Sequence, residues 1–453
     1  MFGWFSVKCP VDTYEKTWTE WRMRWLADQF GIDRLLRAQV LLPTKEFFPD
    51  PYRGTVEDAQ RLLDRLSGFL AVDARHIRLE VCHDVQLPGA AGHYDRGEQT
   101  VIRIAQSQLA DQLRLIATLA HELAHELLLA GGRLTADVAD HEWVTDLLPI
   151  FFGVGVFAAN ATVSESYGHS GQLSWWTVGK HGYLPARVFG YAFALFAFMR
   201  GEHDPEWASY LRLDASSALR EGLRYLRKTN DSLFHPDTVR TKRSPTTPSD
   251  LADRLRVGSP SVRLAALWEV RDRTITDLAL VMAATECLAD RDGAISAAAA
   301  QALAVLGTAA AVAVPHLITS LWAESDETRA GAARALGALR EQPDLVVPAL
   351  GKLLGETNHA VIFEAALALQ QFATRAEPAA PQIMAALATA LIKADHSLAE
   401  LLAATLLVVT PQPKRYVREH FSESDPDLRQ LALEILKEQQ ASLQRQQAPG
   451  TTH

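Results

Sequence analysis

Residues 299–303 read Ala-Ala-Gln-Ala-Leu, and close variants of this phrase recur at residues 332–336 (Ala-Ala-Arg-Ala-Leu) and 365–369 (Ala-Ala-Leu-Ala-Leu). The step between successive copies is 33 residues (332 − 299 and 365 − 332). Pro315, Pro348 and Pro381 keep the same step (348 − 315 and 381 − 348). A fixed period of this length is typical of chains built from stacked copies of one supersecondary unit, in which each copy buries its apolar face against its neighbours. The pattern therefore predicts an array of helical repeats.

Paired helices with small residues at their close contact and a proline opening the second helix resemble HEAT repeats. An earlier copy begins near Val262, and degenerate copies follow at Leu402 and over residues 428–436. The resemblance implies an all-α solenoid of about five units with a long concave surface for a protein partner. The alternative is an array that braces the rest of the chain or mediates self-association.

A second pattern lies upstream, where residues 121–125 read His-Glu-Leu-Ala-His. Residues four apart share one face of a helix, so His121 and His125 can point at a single metal ion. Glu122 would then lie beside a metal-bound water, where a carboxylate can act as a general base. Apolar residues at helical spacing over residues 108–129 support this helix. A buried helix with two hydrogen-bonded histidines is the alternative interpretation.

A catalytic zinc ion needs three protein ligands and one open position. Glu142 follows His125 by 17 residues (142 − 125), which is enough for a turn and a returning helix. Asp146 lies four residues further, on the same face of that predicted helix. The alternative third ligands are His141, Asp137 and Asp140.

The motif and Glu142 together resemble the gluzincin class of HExxH zinc metallopeptidases, in which a glutamate on the following helix completes the metal site. The resemblance implies an α+β zincin-like catalytic domain, with a small sheet and active-site helices, that binds Zn²⁺ through His121, His125 and Glu142. It also implies that Asp146 hydrogen-bonds a ligand histidine. Ligand imidazoles need such a partner to fix their tautomer and orientation.

The same resemblance implies a tyrosine or histidine after the third ligand that donates a hydrogen bond to the oxyanion of the tetrahedral intermediate. We select His181 and Tyr183 for this role. The sequence leaves Tyr167, His169 and Tyr191 open as alternatives. Before the motif, residues 76–81 predict a strand, and residues 89–104 predict a turn followed by an alternating strand.

Composition excludes several classes of protein. The net charge of −9 argues against a nucleic-acid binder, which would carry a basic face. Cys9, Cys82 and Cys287 are too far apart for a disulfide framework or a cysteine-rich zinc site, which favours the reducing cytoplasm. No secretory signal is visible at the start. The apolar runs 147–159 and 188–199 are shorter than the roughly 20 residues that cross a bilayer, so we expect a soluble protein without membrane contact.

The predicted organisation is a helical extension over residues 1–75, a zincin-like domain over 76–229, a linker over 230–256, a HEAT-like array over 257–440 and a disordered tail over 441–453. The predicted function is that of a zinc-dependent metallopeptidase, a hydrolase of peptide bonds, whose array recruits a protein substrate or regulator. A protease held latent until the array senses a partner is a variant of this interpretation. The alternative from another class is a protein-binding scaffold whose metal site is structural or vestigial.

Overall fold

The structure is a computed structural model, and it describes residues 7–87, 91–96, 99–135, 138, 140–161, 184–239, 246–421 and 425–447. The chain divides into two compact units, Met1–Arg243 and Ser244–His453. The first unit therefore contains both the predicted N-terminal extension and the predicted catalytic domain.

The first unit is built mainly from helices. They are α1 (Thr13–Phe30), α2 (Ile32–Leu36), α3 (Val56–Leu70), α4 (Gln112–His125), α5 (His141–Phe151), α6 (Val156–Ala161), α7 (Ala186–Met199), α8 (Leu213–Thr229) and α9 (Pro236–Val239). A π-helical turn, Glu126–Ala130, extends α4.

Side-chain caps fix where the important helices of this unit begin. Helix α1 starts after Asp12, whose carboxylate accepts a hydrogen bond from the amide of Glu15 in a capping box. Helix α4 starts after Asp111, whose carboxylate accepts from the amides of Leu113 and Arg114. Such caps satisfy amides that have no partner within the helix. They set the register in which α4 presents its histidines.

A small sheet lies beside these helices. Its strands are β1 (Ile77–Cys82), β2 (Gly92–Arg96) and β3 (Thr100–Ala105), in the order β1-β3-β2. Strand β1 pairs with β3 in parallel, and β2 pairs with β3 in antiparallel orientation. Ile102 and Ile104 of the central strand are fully buried, so one face of the sheet joins the core.

The core of the unit centres on α7, which is apolar on nearly every side and almost entirely buried. It packs against α8, and also against α1 and α5. A Cβ atom on Gly190 of α7 would lie 2.5 Å from the backbone oxygen of Ala215 on α8. Glycine at this position therefore permits the close approach of the two helices.

The predicted α+β zincin-like fold is wrong. The structure is 72% helical, and within the described residues its only sheet has three strands. Strands do form in the predicted stretches 76–81 and 89–104, but they are short, and helices supply most of the core around them. An HExxH pattern requires only a helix, so it does not specify the domain around that helix.

The second unit is entirely helical over its described residues. Its helices are α10 (Pro248–Val257), α11 (Pro260–Arg273), α12 (Leu278–Glu286), α13 (Gly293–Leu306), α14 (Val314–Ser320), α15 (Asp326–Leu339), α16 (Pro343–Leu353), α17 (His359–Phe372), α18 (Ala380–Ile392), α19 (His396–Val409), α20 (Pro413–His420) and α21 (Pro426–Gln447). Helix α10 begins within the stretch that the sequence predicts to be a linker, residues 230–256.

These helices form two layers. In the first layer α11, α13, α15, α17, α19 and α21 pack side by side in chain order, and the helices between them form the second layer. The three recurring Ala-Ala phrases fall on α13, α15 and α17, at equivalent positions of successive repeats. Their alanines are almost all fully buried where neighbouring helices meet. The repeat predicted from the 33-residue step is therefore present.

One stretch of the array, Gly293–Ser320, is long and apolar enough to cross a membrane by length and composition alone. It consists of α13 and α14 joined by a 3-10 segment, and the backbone kinks at Ala310. Just over half of its most apolar window is buried within the protein. Helix α13 packs against α11 and α15, and this packing accounts for the apolar character of α13.

Candidate functional site

Helices α4 and α5 bring three potential metal ligands together. His121 and His125 lie one turn apart on α4, and Glu142 lies in the first turn of α5. Glu142 Oε2 lies 3.2 Å from Nε2 of His121 and 3.5 Å from Nε2 of His125. One ligand atom from each residue lies within 4.8 Å of the other two. The structure thus brings the predicted ligand trio together; we refer to it as the His-His-Glu cluster.

Two side chains of α5 hold the outer nitrogens of the histidines. Asp146 Oδ1 lies 2.9 Å from Nδ1 of His121. Thr145 Oγ1 lies 3.4 Å from Nδ1 of His125. Asp146 is buried, and its other oxygen accepts a hydrogen bond from the amide of Leu184 at 2.9 Å. Both imidazoles therefore turn Nε2 toward Glu142, because the contacts of Asp146 and Thr145 with Nδ1 fix the orientation of the rings.

The charges within the cluster are strongly coupled. Burial disfavours protonation of His121, but hydrogen bonds to Asp146 and Glu142 outweigh burial and raise its pKa well above the usual range. For His125, burial prevails and lowers the pKa. Burial tends to raise the pKa of Glu142, yet its contacts with the two histidines hold that pKa far below the ordinary value. Glu142 is therefore an anion at neutral pH, as a metal ligand must be.

Glu122 lies on α4 beside the cluster but is not one of the three ligands. Its carboxyl group is buried, and burial raises its pKa to about 7. Strand β2 closes over it: a Cβ atom on Gly92 would lie 2.5 Å from Oε1 of Glu122 and 2.8 Å from Cγ2 of Thr118. Glycine at this position leaves room for the carboxyl group between α4 and the sheet.

The alternative third ligands have other contacts or fall outside the described residues. Asp140 accepts hydrogen bonds from Nε of Arg22 and Nε1 of Trp18, both at 2.7 Å. His141 lies next to the cluster, with Nε2 at 3.0 Å from the second oxygen of Glu142. Asp137 is not among the described residues. Among the candidate third ligands that the structure describes, Glu142 is the one whose carboxylate lies close to both His121 and His125.

The residues selected for the oxyanion, His181 and Tyr183, lie outside the described residues, as do Tyr167 and His169. Tyr191 is described and fully buried on α7. Its hydroxyl donates a hydrogen bond to Glu20 of α1 at 2.5 Å, so Tyr191 ties two core helices together.

Two neighbours of the cluster were not predicted from the sequence. Thr145 is one, although its place beside Asp146 on the same helix offered a signal. Tyr94 of β2 is the other: its ring stacks on His125 with centroids 5.9 Å apart, and its hydroxyl donates to Glu126 at 2.6 Å. The alternation of side chains along β2 was the signal available for Tyr94, since it points Tyr94 and Gly92 to the same side.

The donor set of the cluster fits a zinc ion. Zinc binds imidazole nitrogen and carboxylate oxygen at about 2.0–2.2 Å, and a tetrahedron with such bonds has edges of about 3.3–3.6 Å. The separations of 3.2 and 3.5 Å between Glu142 and the two histidines match these edges closely. The three side chains, whose ligand atoms all lie within 4.8 Å of one another, could therefore hold such an ion.

Comparison with known proteins finds one family. HEAT repeats match residues 314–394, which run from the start of α14 to just past the end of α18. The prediction of HEAT-like repeats is thereby confirmed for this part of the chain. No curated protein matches the sequence.

Several solved structures show a weak likeness. An engineered protein is 20% identical over 43% of this chain and 96% of its own, with a TM-score of 0.33. A designed armadillo repeat protein in complex with the peptide (KR)4 is 18% identical over 43% of this chain and 100% of its own, at 0.31. The complex of CpcE and CpcF of phycocyanin lyase from Nostoc sp. PCC7120 is 20% identical over 44% and 97%, at 0.28. At TM-scores this low, these likenesses do not establish the fold or the function of this chain.

The predicted gluzincin-type zinc metallopeptidase is wrong, and so is its description as a hydrolase or protease. The family that matches is that of HEAT repeats, and the structure is predominantly helical with one small sheet among the described residues. The spacing of His121, His125 and Glu142 brings side chains together, but spacing alone does not establish a reaction. The alternative interpretation, a protein-binding scaffold, agrees better with these findings.

Proposed function

We propose that the protein is a scaffold whose HEAT-repeat array binds an extended segment of a partner protein. One observation carries this proposal. The array exposes one apolar side chain per repeat close to the N-terminal end of each second-layer helix from α12 to α20. We call this set the apolar ladder, and its members are Leu278, Val312, Leu345, Pro378 and Pro411.

The register of the apolar ladder repeats with the array. Successive members are 34, 33, 33 and 33 residues apart (312 − 278, 345 − 312, 378 − 345 and 411 − 378). Leu278, Val312 and Leu345 are 67%, 46% and 61% exposed, although they are large apolar side chains. Exposed apolar side chains that recur in one row mark an interaction surface more strongly than isolated ones do.

The spacing of the ladder suggests the conformation of the partner. Packed helices lie about 8–10 Å apart, so neighbouring members of the ladder are separated by a similar distance. An extended or polyproline II chain advances about 3.1–3.3 Å per residue, so about three residues span one repeat. The proposed partner is therefore an extended segment with an apolar residue at every third position.

Selection from a random peptide library on the full-length protein tests this proposal. We expect enrichment of peptides with apolar residues three positions apart, and we expect Leu278→Glu/Leu345→Glu to abolish their binding. The matched control is Val257→Glu/Ile392→Glu, which changes two exposed apolar residues of the array outside the ladder. Equal loss of binding in both variants would contradict the role of the ladder.

We also propose that the His-His-Glu cluster binds Zn²⁺ and that the ion joins α4 to α5. The support is the convergence of two imidazoles and one carboxylate from α4 and α5, with Asp146 and Thr145 behind them. A bound ion would neutralise the charge of Glu142 and hold α4 against α5. Asp146 and Thr145 orient the imidazoles. The two histidines keep Glu142 ionised, which is the state that metal binding needs.

Calorimetric titration of zinc into the metal-free protein tests this site. We expect one zinc ion per chain, and we expect His125→Ala or Glu142→Ala to reduce the affinity by orders of magnitude. His83→Ala, which removes an exposed histidine of the same unit, should leave the affinity unchanged. Zinc binding that survives the loss of Glu142 would refute the proposed ligand set while leaving the scaffold proposal intact.

A further inference from the structure

A cavity of about 970 Å³ opens beside α8 in the first unit. One wall is α8 itself, and the opposite wall is the segment that precedes it, which includes a 3-10 turn, Glu206–Tyr210. The volume is at the upper end of the range of about 300–1,000 Å³ that is typical of small-molecule sites. The cavity lies apart in sequence from the His-His-Glu cluster and from the array.

The wall formed by α8 is strongly basic. Arg220, Arg224, Arg227 and Lys228 line the cavity, and their spacing of four, three and one residues places them on one side of the helix. All four are exposed. Among the described residues none of them forms an ion pair, whereas Arg200 of the same unit pairs with Glu202 at 2.6 Å. Four cations without carboxylate partners thus face one concave space.

This cluster contrasts with the charge of the whole protein, which is −9. The opposite wall carries His203, Asp204 and Glu206. The two carboxylates of that wall make no ion pair with the cations of α8, so the cavity has an excess of positive charge on one side only. A ligand that fits must therefore concentrate its negative charge at the α8 wall.

The rest of the lining is mostly apolar, with Ser209 and Ser216 as its polar residues. Leu211, Leu219 and Leu223 are buried in the lining of the cavity, and Leu213 is 80% exposed in its wall. Apolar side chains beside unpaired guanidinium groups suit a ligand with a planar or apolar body at one end and multiple negative charges at the other. Ligand sites commonly combine these two kinds of surface.

We propose that this cavity binds an organic polyphosphate of the nucleoside di- or triphosphate class. Guanidinium groups bind phosphate oxygens in pairs, with a geometry that lysine does not offer. Arg220 to Lys228 extends about 12 Å along the helix, which is sufficient for two or three linked phosphates. The base would lie against Leu213, the exposed leucine of the lining.

The opposite wall argues for a discrete small molecule rather than a polymer. A nucleic-acid strand or an acidic peptide that continued beyond the α8 wall would bring its charges toward Asp204 and Glu206. It would then run over a protein surface whose net charge is negative. Both arrangements are repulsive. A short phosphate chain ends before it reaches Asp204 and Glu206.

The test is calorimetric titration of the full-length protein at low ionic strength with two probes, inorganic tripolyphosphate and ATP. We expect both to bind, ATP more tightly because its base contacts the exposed Leu213. Added salt should weaken both, since these contacts are partly screened. The variant Arg220→Gln/Arg224→Gln/Arg227→Gln should weaken binding by about tenfold or more, as loss of several charge-assisted contacts requires.

The matched control removes the same number of charges from exposed arginines outside the cavity, as Arg114→Gln/Arg291→Gln/Arg418→Gln. It should bind both probes like the wild type. Leu213→Ser should reduce the advantage of ATP over tripolyphosphate without affecting tripolyphosphate itself. Circular dichroism establishes that each variant is folded.

Three results would overturn the proposal. The first is that neither probe binds the folded wild type at low salt. The second is that the control variant loses as much affinity as the cavity variant, which would indicate nonspecific charge attraction. The third is that a polyglutamate peptide or a single-stranded RNA binds more tightly than ATP, which would assign the basic wall to a macromolecule.

Discussion

Ser296 and Thr328 join two neighbouring repeats through a hydrogen bond between their hydroxyl groups, 2.6 Å from oxygen to oxygen. Ser296 lies on α13 and Thr328 on α15, and both side chains are buried. Further bonds link the next repeats: Gln370 donates to Thr405 and Thr410 donates to Glu377, each at 2.8 Å. Polar contacts one repeat apart thus fix the stacking of the array alongside its small apolar residues.

The Ser296–Thr328 bond gives a first prediction. Ser296→Ala should lower the free energy of unfolding of the array by about 1–3 kcal/mol, because the buried hydroxyl of Thr328 loses its partner. Ser296→Ala combined with Thr328→Val removes both hydroxyls, and should be less destabilising than the sum of the two single changes. Urea denaturation of the wild type, the two single variants and the double variant measures these free energies. Hydrogen exchange reports the local stability of α13 and α15. Simple additivity would show that the hydroxyls do not interact.

The close contact between α15 and α17 gives a second prediction. A Cβ atom on Gly337 would lie 2.7 Å from Cα and 2.8 Å from Cβ of Ala368, so Gly337→Ala should destabilise the array by about 1–3 kcal/mol. The control is Gly351→Ala on α16, where the nearest atom, Ala379 Cβ, is at an ordinary 3.4 Å. There the higher helix propensity of alanine should raise stability by up to about 1 kcal/mol. The same urea measurement distinguishes the two, and a neutral Gly337→Ala would mean that the helices are less closely packed.

The positioning of His121 gives a third prediction. Asp146 accepts from the His121 ring with one oxygen and from the amide of Leu184 with the other. Asp146→Asn leaves only one accepting oxygen, so zinc affinity should fall by about 10–100-fold while one ion per chain still binds. Asp95→Asn, an exposed carboxylate that pairs with Arg103, is the control. Zinc titration measures both, and unchanged affinity in Asp146→Asn would show that the carboxylate does not orient the ligand.

The thiols give a fourth prediction, which concerns pH. Burial raises the pKa of both Cys9 and Cys287 from 9.0 to about 11. Only the thiolate is nucleophilic, so at pH 8, below both pKa values, each cysteine should alkylate about a hundredfold more slowly than an unperturbed thiol. The rate should increase with pH until about pH 11. Iodoacetamide labelling followed by mass spectrometry measures each site, and fast labelling of either residue at pH 8 would contradict its burial.

The repeat array was predictable because its signal is redundant. The step of 33 residues appears in three prolines and three Ala-Ala phrases, and each copy requires the same pair of helices. The matched HEAT repeats and the two-layer packing agree with that prediction. The apolar ladder was not recognised, because its members differ in residue type and the sequence does not show that they are exposed.

The His-His-Glu cluster was predictable from helix geometry, since a spacing of four residues and a returning helix are enough to bring His121, His125 and Glu142 together. The domain around it was not. The same spacing is compatible with any helical core, and the large apolar helix α7 gave no signal of a zincin-like sheet. The basic wall of α8 was also missed, because a run of arginines is usually a solvated helix face and only the cavity beside it indicates a binding site.

Photo-crosslinking of a selected peptide to the full-length protein tests the scaffold function most directly. The peptide carries a photoreactive residue at each apolar position in turn, and mass spectrometry locates the crosslinks. We predict crosslinks at Leu278, Val312 and Leu345 in order, with an advance of about three peptide residues per repeat. Crosslinks confined to the first unit, or to the opposite ends of the helices around Ile392, would contradict the account.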